Sequence, residues 1–218
     1  LRPLSVSQRE TLEEATRAYE GALTAEVAQY LHARGLGREE ATSARLGVVA
    51  DPFPGHAKYR GMLAIPYLDR NGKPLTIRFR CLQEHNHRDF FHGKYNTIKD
   101  DIPRMYGIDS IHQAEDEIHV TEGELDRAIL RKLGLYAVAA PGANMWAGRH
   151  RRMLAGFSKV WVWGDPDEAG AEFSAKICRQ LRTAKAVRMR DGDVTETYLQ
   201  GGADSIFNLY RKDFETAA

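Results

Sequence analysis

Glu122, Asp165, Asp167, Asp191 and Asp193 fall in three short stretches, Thr121-Glu-Gly-Glu-Leu-Asp126, Asp165-Pro-Asp-Glu-Ala-Gly170 and Asp191-Gly-Asp193. Carboxylates brought together repel and raise one another's pKa values unless a cation lies between them. An all-oxygen donor set suits a hard ion such as Mg²⁺ or Mn²⁺. The chemistry such a cluster serves is metal-assisted phosphoryl or nucleotidyl transfer. The chain has no G-x-x-x-x-G-K-S/T loop and no G-x-G-x-x-G after a strand. Phosphates would therefore be held by metal and basic side chains rather than by a glycine-rich loop. Each stretch alone has an ordinary reading: an acidic first helical turn, a turn capped by Asp165 with Pro166 following, and a plain loop. The three together, each at the end of a strand, are what point to a site.

Those strands follow from the pattern of apolar residues. Strands are expected at 117–121, 135–140, 160–163 and 186–189, and helices at 124–132, 146–154 and 169–181. Leu125, Ile129, Leu130 and Leu133 form the apolar stripe of the first of these helices. Strand and helix alternate, which predicts an α/β parallel sheet flanked by helices and joined by right-handed crossovers. In such a sheet ligands lie beyond the carboxyl ends of the strands, where the three acidic stretches would meet. Trp161 and Trp163 alternate on one strand and read as sheet packing. Asn144 follows a Pro-Gly-Ala turn at a strand end and is a further candidate to line the site.

Upstream, the first fifty residues read as helical, with stripes at Leu12, Ala15, Ala18 and Tyr19 and at Val27, Ala28 and Leu31. Thr24 is placed to cap the second helix, and Gly35 and Gly37 to end it. Two strands at 62–68 and 75–82 flank Asn71-Gly72, a hairpin turn signal. From His56 to Lys99 there are nine Lys or Arg against three Asp or Glu, whereas the whole chain of 218 residues carries a formal charge of +1. This is a mixed α+β basic subdomain, with Tyr59, Phe79, Phe90, Phe91 and Tyr95 interleaved among the cations. His85, His87 and His92 read as part of a basic loop rather than a metal site, for want of a partnered cysteine. The expected organisation is a helical and basic region at 1–115, a catalytic region at 116–200, and a helix or linker at 201–218.

Composition narrows the class. Hydrophobic residues make up 43% and charged residues 28%, an ordinary globular balance. The two cysteines, Cys81 and Cys178, fit a reducing cytoplasm and exclude a four-cysteine zinc ribbon within the chain. No apolar run is long enough for a membrane helix, so no membrane association is expected.

The acidic motifs resemble the Toprim domain shared by DnaG-type primases, topoisomerases and some nucleases, with its glutamate after one strand and Asp-x-Asp after a later one. Upstream, Arg60-Gly-Met-Leu-Ala-Ile-Pro66, Asp69-Arg-Asn-Gly72, Ile77-Arg-Phe-Arg80, Lys94-Tyr-Asn-Thr97 and Met105-Tyr-Gly107 follow one another as in the basic subdomain of bacterial and phage DnaG-type primases. Tyr30-Leu-His-Ala-Arg-Gly-Leu36 and Leu46-Gly47 are similar to that family's N-terminal part. The resemblance spans roughly residues 10–200 and is that of a primase catalytic core without its zinc-binding domain. In the family the last acidic motif is commonly Asp-x-Asp; here it reads Asp193-Val-Thr-Glu196.

The resemblance implies a DNA-dependent RNA polymerase, a nucleotidyltransferase that makes short RNA primers on single-stranded DNA from ribonucleoside triphosphates. Glu122, Asp165, Asp167 and Asp193 would hold Mg²⁺ or Mn²⁺, with Glu122 either a ligand or the general base. Asp126, Asp191 and Glu196 would ligate or support. Arg78, Arg80, Lys94, Tyr95 and Asn96 would bind triphosphate or template. A replicative helicase is the expected protein partner, and the cytoplasm, that of a bacterial host for a phage protein, the expected location. The other readings are a Toprim-fold nuclease and a non-catalytic nucleic-acid-binding module.

Overall fold

The computed structural model describes residues 3–98 and 101–215, and the chain divides into two compact units, Leu1–Ile102 and Pro103–Ala218. Among the described residues no helix is long and apolar enough to cross a membrane.

The first unit opens with helices α1 (Val6–Gly21), α2 (Ala25–His32) and α3 (Arg38–Ser43). Ser5 caps α1 in a reciprocal box with Gln8, and the Thr24 side chain accepts from the Val27 N–H at the start of α2, as its position predicts. Strands β1 (Gly47–Val48), β2 (Leu63–Leu68), β3 (Pro74–Arg80) and β4 (Tyr95–Thr97) form an antiparallel sheet in sequence order. The β2–β3 turn is the predicted hairpin. Gly72 takes φ 74°, and the Asp69 carboxylate accepts from the N–H groups of Asn71 and Lys73 at 2.8 and 3.0 Å. On β3 the pleat sends Ile77 and Phe79 inward to Ala15 and Tyr19 of α1, where Phe79 stacks on Tyr59 at 4.0 Å. Arg78 and Arg80 share the opposite face.

The second unit contains α4 (Asp109–Gln113), β5 (Glu117–Thr121), α5 (Glu124–Lys132), β6 (Ala137–Ala139), α6 (Gly148–Leu154), β7 (Lys159–Trp163), α7 (Glu168–Gln180), β8 (Ala184–Val187) and α8 (Val194–Glu215). The four strands are parallel in the order β6-β5-β7-β8. This is the expected α/β sheet flanked by helices. Val160 and Val162 of β7 bury one face with Phe173 and Ile177 of α7. Trp161 and Trp163, each 1% exposed, face the other way, against Tyr210 of α8. Both tryptophans are packing residues, as expected.

Three boundaries differ from expectation. Residues 103–115 belong to the second unit, because Tyr106 and Ala139 exchange backbone hydrogen bonds at 2.9 and 3.0 Å and Met105 enters the sheet's core. Strand β8 lies two residues earlier than the apolar run at 186–189 predicts, because the pairing of Ala184 to Val187 with β7 sets its register. The tail expected at 201–218 is the continuation of α8, broken at Gly202, where φ is 65°; its positions 216–218 lie outside the described residues.

Candidate active site

The chain leaves β6 on one side of β5 and returns to β7 on the other, so the strand order reverses between β5 and β7. In open sheets of this kind such a reversal is where ligands bind, beyond the carboxyl ends of the two strands. Glu122 follows β5 directly, and Asp165 lies two residues past β7. The Thr121 hydroxyl donates to the Gly123 carbonyl at 2.9 Å and pins the turn that carries Glu122. One oxygen of Glu122 accepts from the Asp165 N–H at 3.0 Å, so the two acidic turns are tied to each other.

Asp167, not Asp165, is the cap of α7; its carboxylate accepts from the Gly170 N–H at 2.8 Å. Gly170 is required where it stands, because a β-carbon there would run into the Asp165 backbone. This explains the spacing of the Asp165-to-Gly170 motif. Asp167 closes the turn, Gly170 lets it tighten, and the carboxylate of Asp165 is left over for other work.

The third acidic stretch arrives on the N-terminus of α8. Asp193 accepts from the Glu196 N–H at 2.8 Å while the Glu196 carboxylate accepts from the Asp193 N–H at 3.2 Å, a reciprocal cap. Asp126, in the first turn of α5, is bound to the same helix end. Its Oδ1 accepts from both the N–H and the hydroxyl of Thr195, at 3.0 and 2.7 Å. Thr195 was not legible as a site residue, since its partner lies 69 positions away.

The electrostatics record the convergence. Burial first, then the charges of Glu122, Asp193, Asp167 and Glu196, push the Asp165 carboxyl up to about 6. Asp126 is pushed up to about 7, by burial first and then by Asp193 and Asp165, with the Thr195 hydrogen bonds pulling the other way. Burial also raises Glu122, opposed by the Asp165 N–H and reinforced by Asp167 and Asp126. Six carboxylates thus share one region. An oxygen-only donor set in which burial and neighbouring negative charge raise Glu122, Asp126 and Asp165 fits a hard divalent cation. Asp191 stands apart from them: it is exposed, with its backbone carbonyl receiving the Gln200 amide at 3.3 Å. Asn144 is also exposed, in a short turn after Gly142.

The basic residues belong to the first unit. The guanidinium groups of Arg78 and Arg80 lie 4.9 and 4.8 Å from the centre of the Tyr95 ring, and Arg80 also bonds the Tyr95 hydroxyl. Arg80, expected to bind triphosphate or template, is only 5% exposed. The side chain of Lys94 is exposed, and its carbonyl accepts from the Cys81 N–H at 2.9 Å. Asn96 bonds both backbone groups of Gly93, at 3.0 and 2.7 Å, and so holds the entry to β4.

The parallel sheet flanked by helices and the antiparallel unit before it match the catalytic-core fold of DnaG-type primases. The RNA polymerase domain of Mycobacterium tuberculosis primase DnaG matches with a TM-score of 0.78, over 94% of this chain and 83% of that one, at 19% identity. A DnaG primase catalytic domain bound to single-stranded DNA matches with a TM-score of 0.71, over 95% of this chain and 80% of that one, at 20% identity. No family model matches the sequence. The Gene 57 protein of Mycobacterium phage D29 is 33% identical over an alignment of 153 residues that covers 68% of this chain and 97% of that protein. The chain belongs to the family of that phage protein.

Proposed function

We propose that the chain is a primase core, a nucleotidyltransferase that joins ribonucleotides on a single-stranded DNA template. The observation that carries this reading is the meeting of Glu122, Asp165, Asp167 and Asp193 from three separate turns beyond one sheet edge.

In this reading Glu122, Asp165, Asp167 and Asp193 hold divalent cations, Mg²⁺ or Mn²⁺. Held by these carboxylates, such cations would supply the charge that makes the primer 3′-hydroxyl more acidic and offsets the departing pyrophosphate. Glu122 has one oxygen committed to Asp165 and the other left for a cation or for the 3′-hydroxyl proton. Burial raises its pKa, which is the direction that favours taking up a proton. Asp126 and Glu196 support, the first by holding α8 through Thr195 and the second by holding Asp193. Arg78 and Lys94 contact phosphates, with Arg80 keeping the Tyr95 ring in place to meet an unpaired base. A replicative helicase supplies the unwound strand, in the host cytoplasm where template and nucleotides are found.

The test is incubation of the purified chain with single-stranded templates, labelled ribonucleotides and either metal. Short RNA that requires template and disappears in Asp165→Asn supports the proposal. Shortened DNA with no nucleotide incorporated would identify a nuclease instead. DNA binding with neither product would leave a non-catalytic module.

A further inference from the structure

The connection from β3 to β4, residues 81–94, is long for two neighbouring antiparallel strands. It has little apolar material to fold around: Phe90 is 59% exposed and Phe91 98%. Asn86 caps a short 3-10 turn from His87 to Phe90, and the base of the loop is closed by the Cys81 N–H on the Lys94 carbonyl.

What the loop turns inward is a set of donor atoms. Cys81 Sγ lies 3.7 Å from His85 Nε2. The ring centres of His85 and His87 are 4.7 Å apart, those of His85 and His92 5.1 Å, and those of His87 and His92 5.3 Å. One ligating atom from each of the four residues lies within 4.8 Å of the other three. His87 Nδ1 is buried with no hydrogen-bond partner among the described residues. Three imidazoles and a thiol gain little from one another here. Neutral, they leave a buried nitrogen unsatisfied; protonated, they repel.

One cation resolves both problems. A tetrahedral zinc ion with sulfur at about 2.3 Å and nitrogens at about 2.0–2.1 Å needs donor-to-donor edges of roughly 3.4–3.6 Å. The Cys81–His85 edge is already close to this, and from the 4.8 Å limit the remaining atoms need to close by no more than about 1.4 Å. The Cys-x3-His-x-His-x4-His spacing is not a familiar ribbon, and Cys81 reads in sequence as the end of a strand. The expectation that these histidines lack a cysteine partner is thus corrected by the fold.

We propose that Cys81, His85, His87 and His92 bind one zinc ion. The thiol of Cys81 gives its proton to solvent and binds as thiolate, and the three imidazoles bind neutral. Four protein ligands leave no open position, so the ion is structural and takes no part in nucleotidyl transfer. It staples the loop that carries Arg88, Phe90, Phe91 and Lys94. The proposal does not depend on the primase reading.

Metal content tests it directly. The untagged full chain, expressed with zinc and stripped of loosely held ions by gel filtration, is assayed by elemental analysis and by competition with a chromophoric chelator. One zinc per chain is expected. Affinity should fall at least about tenfold in Cys81→Ser and in His87→Ala, with circular dichroism confirming that both fold, and should be unchanged in Asp165→Asn. Cobalt in place of zinc should give the strong visible absorption of a four-coordinate site, with a thiolate charge-transfer band that Cys81→Ser removes. Zinc affinity unchanged in Cys81→Ser and His87→Ala, or loss of the zinc in Asp165→Asn, would overturn the proposal, whether or not the chain makes primers.

Discussion

Glu122 receives the backbone N–H of Asp165 at 3.0 Å, so the turn after β5 and the turn after β7 are held together by a carboxylate that the proposed reaction also needs. Structural and chemical duties can be separated by substitution. Glu122→Gln keeps a carbonyl oxygen that can accept from Asp165 but loses the charge. The variant should melt within about 2 °C of the parent, since the bond survives and a repulsive charge is gone. Primer synthesis should fall at least about 100-fold. Glu122→Ala should lose both the activity and, through the orphaned N–H, about 1–2 kcal/mol. Full synthesis by Glu122→Gln in a gel assay would remove Glu122 from the machinery.

Asp126 is a buried acid whose carboxyl titrates at about 7 in the fold, against an ordinary 3.8. A raised acid pKa means that the folded state binds the proton more tightly than the unfolded chain. Its contribution is fully present below pH 4 and is lost as pH rises from about 4 through about 7. The full span corresponds to at most ~4 kcal/mol, and relaxation of the site should leave ~1–2 kcal/mol. Asp126→Asn keeps an oxygen for Thr195 and removes the titration. Without divalent metal at pH 8 it should melt several degrees above the parent, and Mg²⁺ or Mn²⁺ should stabilise the parent more than the variant. Parallel melting curves across pH 5–8 would count against this account.

Gly170 accepts no side chain, because the Asp165 backbone occupies the space a β-carbon would take. Gly170→Ala should push apart the turn and the start of α7, at roughly 1–3 kcal/mol. Primer synthesis should drop in proportion to the displacement of Asp165. Gly156→Ala is the control: its β-carbon would meet nothing within 4 Å, so it should alter neither denaturant midpoint nor synthesis. Equal behaviour of the two variants would mean that the close approach at Gly170 is not maintained in solution.

Much of this arrangement can be read without coordinates, because the signals are local. Apolar runs mark β5 and β7, and acidic residues directly after them fall at the sheet edge by connectivity alone. Long-range pairing carries the rest. Asp126 is legible as an acid near Glu122, but not as the anchor for Thr195. Arg80 shares a motif with Arg78, yet the packing of Tyr30 and Tyr95 around it decides its burial. Asp191 and Asp193 look equivalent in sequence; only Asp193 caps a helix that reaches the cluster. Met105 and Tyr106 follow the basic region in the chain, but pairing with Ala139 assigns them to the other unit.

His119, on β5 behind the site, is buried beneath Trp163 and Tyr210. Its Nδ1 accepts from the Trp163 indole N–H at 2.9 Å, so the neutral ring carries its proton on Nε2, which lies 3.5 Å from Glu117. Burial lowers the pKa of His119, with Glu117 opposing. The unfolded chain therefore binds a proton first as pH falls below about 6.5, and stability is lost progressively below that point. Protonating Nδ1 would also set two donors against each other. His119→Gln offers Trp163 a carbonyl and cannot titrate in this range. Denaturant midpoints between pH 7 and pH 5, followed by tryptophan fluorescence, should fall less steeply for His119→Gln than for the parent. The same slope in both would place the acid sensitivity elsewhere in the sheet.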